Sequence, residues 1–190
     1  MKKIILFFAL PLLCITLFPC FSNALGFEGI GGKVSLVMPE GNANNNIGLG
    51  VIADLGTILP QINALKGEIS AEYWGDSYDV GYYEWSWSSI SLNGTAKYHF
   101  PIGGNISPFA GGGLGLIISR WSSDYKADLG YEWGVITGDL SDSDIDIGAH
   151  LVGGADIPLG SNLKFVAEAK LSFGGTDTLQ LSGGLVFKLK

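Results

Sequence analysis

Apolar and polar residues alternate with a period of two along most of this chain. The clearest run is at the C-terminus, where Thr178, Gln180 and Ser182 occupy one face and apolar residues occupy the other. The apolar face of this run consists of Leu179, Leu181, Gly183, Leu185, Phe187 and Leu189. Because successive side chains of a strand point to opposite faces, the spacing predicts a β-strand with one apolar and one polar face.

Seven further runs show the same alternation and also predict strands. They lie near residues 28–38, 47–57, 67–74, 89–100, 106–120, 144–157 and 163–173. The apolar face of these runs is almost free of charge, whereas the polar face carries many ionisable side chains. Those side chains are Glu68, Glu72, Lys97, His99, Asp146, His150, Asp156, Lys164, Glu168 and Lys170.

The position of these charges decides between two kinds of all-β protein. A soluble sandwich or lipocalin-like barrel turns its polar face to water, whereas a transmembrane barrel turns its apolar face to lipid and encloses the polar one. An apolar face that runs through every strand favours the second kind. The sequence therefore predicts an all-β fold, an eight-stranded antiparallel transmembrane β-barrel with a network of charges in its lumen.

The connections between the runs differ in length. Residues 101–105 and 158–162 share the pattern Pro-x-Gly-x-Asn, which is typical of short turns. The links at 39–46, 75–86 and 121–143 are longer, the one at 174–177 is short, and all four fall at the opposite end. Short turns at the periplasmic side and long loops outside are typical of outer-membrane barrels. The link at 58–66 falls with the short turns but is longer than they are.

The N-terminus predicts a signal peptide. Lys2 and Lys3 precede a strongly apolar run at 4–18, and the small residues Ser22 and Ala24 follow at cleavage-site positions. We expect cleavage after Ala24, which divides the chain into a signal peptide at 1–24 and a barrel domain at 25–190. A retained membrane anchor and a lipoprotein modified at Cys20 are the alternatives.

Composition restricts the classes of partner. Acidic residues number 18 against 11 basic ones, and loss of Lys2 and Lys3 would change the formal net charge from −7 to −9. Such a chain is a poor partner for nucleic acid, whose phosphates would repel it. It suits a surface bridged to anionic lipid by divalent ions. Both cysteines lie in the predicted signal peptide, so we expect no disulfide in the mature protein.

These features together resemble a known family. The signal peptide, the eight alternating runs, the two Pro-x-Gly-x-Asn turns and the glycine-rich segment 109–115 are similar to those of small outer-membrane barrels. That group of porin-family barrel proteins includes the OmpA barrel domain, OmpX and OmpW, and the resemblance covers residues 25–190. It implies export through the periplasm, a location in the cell outer membrane, and contact with its lipid and lipopolysaccharide.

An eight-stranded barrel has a lumen about wide enough for its own side chains, so inward charges need partners. A turn centred on Gly160 would place Asp156 opposite Lys164, where we expect an ion pair, and His150 opposite Lys170. These charges predict a structural network that packs the barrel, and the alternative is a narrow channel for ions or small solutes.

A lipid-modifying enzyme is a third interpretation. Some barrels of this architecture act on lipid A with a histidine close to a serine, but His99 and His150 are not in a His-x-Ser arrangement. The acidic segment 142–146 has Ile147 where a calcium-binding EF-hand loop needs glycine. The sequence therefore predicts no catalytic site, no metal site and no cofactor.

The long outer links are rich in aromatic residues. We expect Tyr73, Trp87 and Trp121 to form part of an aromatic girdle at the membrane interface. Further aromatic residues suit contact with a host or cell-surface protein. The candidates for that contact are Tyr82, Tyr83, Tyr131 and Trp133. The sequence predicts a structural or surface-interaction role of adhesin type, exerted through the extracellular loops.

Overall fold

The fold is taken from a computed structural model. The structure describes residues 26–41, 44–79, 83–102, 104–128 and 135–189, and at 78–84 and 124–140 it describes at most the backbone. The predicted signal peptide at 1–24 lies outside the described residues. Within these ranges, no helix is long and apolar enough to cross a membrane.

The described residues form eight strands that close into one antiparallel barrel. Each strand pairs with the next along the chain, and β1 pairs with β8 to close the sheet. The strands are β1 (Gly29–Pro39), β2 (Asn46–Thr57), β3 (Leu65–Asp79), β4 (Tyr83–His99), β5 (Ser107–Asp128), β6 (Val135–Pro158), β7 (Leu163–Phe173) and β8 (Thr178–Lys188). The predicted eight-stranded antiparallel barrel is therefore confirmed.

The two faces of the barrel wall are inverted relative to a water-soluble protein. Large apolar side chains cover the outside, as Ile47, Leu114 and Ile147 show with exposed fractions of 64%, 66% and 76%. Charged side chains such as Lys97 and Lys170 are only 4% exposed because they point into the barrel. The inward and outward faces of the eight runs are those that the alternation predicts.

The strands on one side of the barrel are longer than the sequence predicts. The segments 75–86 and 121–143, expected as loops, belong largely to β3, β4, β5 and β6, and β6 alone has 24 residues. In these segments the alternation no longer has an apolar outward face, since on β4 Trp87 takes the inward phase and Ser86 and Ser88 the outward one. The backbone ladder nevertheless continues as far as the rung that pairs Asp128 with Val135. We call residues 75–79, 83–88, 121–128 and 135–143 the projecting sheet.

The two ends of the barrel differ in their connections. The turn end holds the connections after β2, β4 and β6, and the loop end holds the other connections and the projecting sheet. The longer connection at 58–64 is a compact turn, in which Ile58 N donates to Leu65 O (3.1 Å) and Ile62 N donates to Leu59 O (2.9 Å). The amide of His99 donates to Ala64 O (2.8 Å), which attaches this turn to β4. The extra residues thus fold back on the barrel wall.

Candidate functional site

The barrel interior is crossed by an ionic cluster, which we call the central network. Its centre is Glu72 on β3, which receives lysines from two other strands. Lys33 on β1 lies 2.9 Å from Glu72 Oε1, and Lys170 on β7 lies 2.6 Å from both Glu72 oxygens. Ser70 and Asn93 donate further hydrogen bonds to Oε1 at 3.1 and 3.2 Å. Glu72 therefore joins strands β1, β3, β4 and β7 through its side chain.

A second glutamate extends the central network toward β4. Glu168 on β7 accepts from Lys33 at 3.3 Å and from Lys97 at 2.6 Å. Lys97 also donates to Glu68 on β3 at 2.6 Å and lies 4.6 Å from the ring centroid of Phe109. The chain of contacts thus runs from Lys170 through Glu72, Lys33, Glu168 and Lys97 to Glu68.

Burial and charge balance explain how this network is tolerated. The six side chains have exposed fractions between 3% and 11%, so water screens them little. Three lysines face three glutamates in the central network, so its formal charge is zero. A buried charge without a partner is costly, and here each charge has at least one partner of the opposite sign.

A smaller ionic cluster, the turn-end cluster, lies nearer the turn end of the barrel. Lys164 on β7 donates to Asp54 on β2 at 2.6 Å and to Asp156 on β6 at 2.8 Å. His99 Nε2 lies 3.4 Å from Asp156 Oδ2, outside hydrogen-bond geometry. Both ring nitrogens of His99 are buried without a hydrogen-bond partner among the described residues. The contact between Lys164 and Asp156 is the ion pair that the sequence predicts.

An apolar layer separates the two clusters. On the inward face of β7, Val166 stands between Lys164 and Glu168, and Ile52 stands two residues above Asp54 on β2. The layer consists of Ile52, Phe109, Val152, Val166 and Val186, and each of these side chains is at most 6% exposed. This packing fills the lumen with hydrocarbon between two groups of ion pairs.

The predicted register around this ion pair is wrong by two residues. Asp156 pairs with Val166 rather than with Lys164, and His150 pairs with Ser172 rather than with Lys170. Leu159 N donates to Leu163 O, and the last rung joins Pro158 to Lys164, so the turn is centred on Ser161 rather than Gly160. A two-residue shift leaves every side chain on its original face, and Lys164 reaches Asp156 diagonally.

His150 occupies the space that inward glycines leave open. Its Nε2 lies 2.9 Å from Thr95 Oγ1 on β4, across the intervening strand β5. A Cβ atom on Gly113 of β5 would stand 2.8 Å from this Nε2 and would also overlap the Gly94 carbonyl oxygen. Asp146, four residues nearer the loop end on the same face, makes no ion pair with the described side chains.

The lumen at the loop end is a small cavity above the central network. Its wall is made mostly of neutral polar side chains, and its floor is Lys170 and His150. The neutral polar residues around it are Ser89, Ser91, Asn93, Ser119, Ser172, Thr176, Thr178 and Gln180. A second cavity, at the turn end, borders Asp54, His99, Asp156 and Lys164. The central network and the apolar layer lie between the two cavities.

One of the expected girdle residues faces the lumen instead, and a second has the inward phase of its strand but is 36% exposed. Trp87 belongs to the inward face of β4 and packs edge-to-face on Trp74, with ring centroids 4.3 Å apart. Trp121 has the inward phase of β5, since it lies two residues beyond Ser119. Tyr73 is on the outer face, 42% exposed, as predicted. Near the loop end of β4 the aromatic residues take the inward phase and the serines the outward one, so the rule that apolar residues face outward assigned Trp87 to the wrong face.

The structure does not describe the side chains of the four residues predicted for contact with a partner protein. Tyr82, Tyr131 and Trp133 lie outside the described residues. Tyr83 begins β4, and its backbone pairs with that of Tyr125 on β5, but its side chain is not among those described.

Sequence reasoning missed two members of the ionic clusters, Lys33 and Asp54. Both have the polar phase of their strands, but the noisier alternation of β1 and β2 hid them. Lys33 lies beside inward Gly50 and Gly184, which give its long side chain room to cross the lumen. A search for inward charges flanked by glycines on neighbouring strands could have found Lys33. Among the described residues, no group of three His, Cys, Asp or Glu side chains could hold a metal ion.

The chain is similar to proteins of known architecture. The family model described as outer membrane protein beta-barrel domain matches residues 9–185. No curated protein matches the sequence. The crystal structure of Neisserial surface protein A is 17% identical, with a TM-score of 0.58 over 86% of this chain and 96% of that one.

Two other crystal structures have the same fold. Ail, the attachment invasion locus protein of Yersinia pestis, is 14% identical with a TM-score of 0.55, over 86% of this chain and 97% of its own. A major outer membrane protein from Thermus thermophilus is 13% identical with a TM-score of 0.55, over 84% of this chain and 99% of its own. At such identities the likeness shows the fold alone, whereas the family match covers nearly the whole sequence. The chain belongs to the outer membrane protein beta-barrel domain family.

Proposed function

We propose that this protein is exported by its signal peptide and lies in the bacterial outer membrane, with its turn end in the periplasm. The apolar outer face supports this location because it suits lipid and not water. The long extension of β3 to β6 at the loop end supports the orientation, since the projecting sheet then rises outside the cell. Lipid and lipopolysaccharide of the outer membrane would surround the wall.

We further propose that the barrel is closed and acts as a structural or surface-interaction protein through its projecting sheet. The observation that carries this proposal is the central network, whose buried ion pairs link β1, β3, β4 and β7 across the lumen. The apolar layer below it adds a second obstacle to hydrated ions. With the lumen occupied by its own side chains, the projecting sheet is the part available to a partner.

The surroundings of the two histidines support a role other than catalysis. His150 is bonded to Thr95 inside the lumen, where a lipid substrate in the membrane could not reach the hydroxyl. His99 faces Asp156 and the ring of Phe109, 5.4 Å away between centroids. A nucleophile beside a base is useful only where a substrate can approach it.

Single-channel recording in a planar bilayer tests the closed barrel. We expect the refolded mature protein to give no steady openings, since the central network and the apolar layer occupy the lumen. Glu72→Gln, which removes one charge from the network, serves as the comparison, and heat-dependent gel mobility verifies that both barrels are folded. Reproducible wild-type openings, with a conductance altered by Glu72→Gln, would contradict this proposal and establish the narrow channel.

A further inference from the structure

One charged residue interrupts the otherwise uncharged exterior. Among strand residues whose side chains the structure describes, Arg120 on β5 is the only charged residue on the outward face. It shares that face with Leu114 and Leu116, which are 66% and 47% exposed, and is itself exposed. It makes no hydrogen bond or ion pair with any described side chain. Its guanidinium is therefore available to a group outside the barrel.

The rungs around Arg120 change abruptly from apolar to hydroxyl-bearing. On the turn-end side, Ile118 pairs with Ile90 on β4 and Ile145 on β6. Two residues further toward the loop end, Arg120 itself pairs with Ser88 and Ser143. This boundary places the guanidinium where the hydrocarbon layer of a membrane would end.

The next rung completes a shallow groove around Arg120. It consists of Ser86, Ser122 and Ser141, and Ser86 Oγ lies 2.8 Å from Ser122 Oγ. Trp121 and Asp142 also border the groove, but they have the inward phase of β5 and β6, and Asp142 Oδ1 accepts a hydrogen bond from Ser143 N at 2.8 Å. The outward face of this groove therefore offers one cation and five hydroxyl groups.

We propose that this groove binds one phosphorylated glycolipid of the outer leaflet. Arginine forms paired hydrogen bonds with phosphate oxygens, and serine hydroxyls match the hydroxyls of a sugar. The isoleucine rung below would pack against the acyl chains. The order of acyl chain, phosphate and sugar along the membrane normal thus matches the order of isoleucine, arginine and serine on the wall.

The position of the groove favours a glycolipid over a glycerophospholipid. Arg120 lies at the loop end, which the proposed orientation places in the outer leaflet, and a glycerophospholipid headgroup has fewer hydroxyls to meet the five serines. The inference rests on the proposed outer-membrane location and orientation. It does not depend on whether the lumen is closed.

Native mass spectrometry of the refolded protein in mild detergent micelles tests the groove. Diphosphorylated lipid A is titrated against the wild type, against Arg120→Gln, and against Lys66→Gln as a matched control. Lys66 is a cation near the turn end, and its replacement removes the same charge far from the groove. We expect Arg120→Gln to weaken binding about tenfold or more, as the loss of a charged hydrogen bond implies, and Lys66→Gln to leave it unchanged.

Three comparisons make the result specific. Dephosphorylated lipid A should bind the wild type and Arg120→Gln equally, and the double variant Ser88→Ala with Ser143→Ala should weaken both lipids. Equal binding of diphosphorylated lipid A to the wild type and Arg120→Gln would overturn the proposal. Phosphatidylglycerol binding as tightly as lipid A would also overturn it, because the groove would then recognise any anionic lipid.

Failure of this proposal can be separated from failure of the proposed function. Bound lipid A is measured only on protein samples whose gel mobility shows that the barrel is folded. A folded barrel that conducts ions would contradict closure and leave the lipid titration valid. A folded, silent barrel that binds lipid A without regard to Arg120 would contradict the groove alone.

Discussion

At the scale of single residues, Glu72 has an unusual environment. It is 5% exposed and contacts two lysines, Lys33 from β1 and Lys170 from β7, which is the strand opposite β3 in the barrel. Removing one member of a buried ion pair leaves the others without compensation, and this costs far more than loss of an exposed pair. The stability of the barrel should therefore depend strongly on this one carboxylate.

We expect Glu72→Gln to lower the free energy of unfolding by about 3 kcal/mol, because Lys170 would lose its carboxylate partner and Lys33 one of two. Urea unfolding of the refolded barrel in detergent, followed by tryptophan fluorescence, measures the change. The matched control is Lys66→Gln, whose pair with Glu28 is 3.7 Å long and partly exposed, and which should cost less than about 1 kcal/mol. Equal losses in the two variants would show that the central network does not stabilise the fold.

At the scale of elements, β5 and β6 combine two functions in one ladder. Their turn-end halves form the barrel wall, and their loop-end halves continue into the projecting sheet beyond the rung of Arg120 and Ser143. The ionic clusters lie within the wall, so the projecting part contributes no ion pair to the described network. The wall should therefore fold without the projection.

A shortened hairpin tests this separation. Residues 124–139 are replaced by Asn-Gly, which joins Ser123 to Leu140 across an existing rung and suits a two-residue turn. We expect the free energy of unfolding in urea to stay within about 1 kcal/mol of the wild type, since burial in the wall is unchanged. Adhesion of bacteria expressing the variant to cultured host cells should fall to the level of bacteria that lack the protein.

The matched control for adhesion is Thr176→Ala in the short connection between β7 and β8, which is exposed at the same end of the barrel. It should leave adhesion unchanged at equal surface expression. Full adhesion by the shortened protein would place the contact surface elsewhere than on this hairpin.

At the scale of the whole molecule, the two ends of the barrel differ. The projecting sheet lies at one end only, so a single orientation fixes which residues reach the cell surface. The two cysteines of the chain are in the predicted signal peptide, so a mature protein accepts single cysteine probes without background. Exposed positions exist at both ends, at Ser161 and at Thr176.

We expect Thr176→Cys to react with a membrane-impermeant maleimide on intact cells, because the loop end is outside in the proposed orientation. Ser161→Cys should react only after the outer membrane is permeabilised. Detection of the labelled protein by its mass shift on a gel gives the readout. The opposite pattern would reverse the orientation and with it the assignment of the projecting sheet to the cell surface.

The sequence by itself determined the fold class and the two faces of the barrel wall. Period-two alternation states which side chains share a face, and a strand must place them so whatever its neighbours are. The interior position of Glu168 and Lys170 follows from that period alone. An apolar medium on one side of the wall requires apolar residues at every second position of each strand in that wall.

Only the tertiary structure decided which charged side chains form ion pairs inside the lumen. The partners of Lys33 come from β3 and β7, which closure brings together across 39 and 135 residues of sequence, and no local pattern encodes that distance. The register at Pro158 and Lys164 depended on a turn one residue from its expected centre. The length of β5 and β6 beyond the wall depended on backbone hydrogen bonding, which does not require alternating apolar and polar side chains. The alternation depends only on the medium that each face of a strand meets, so it can be found in the sequence. The side-chain contacts inside the lumen depend on how the sheet closes, so they require the tertiary structure.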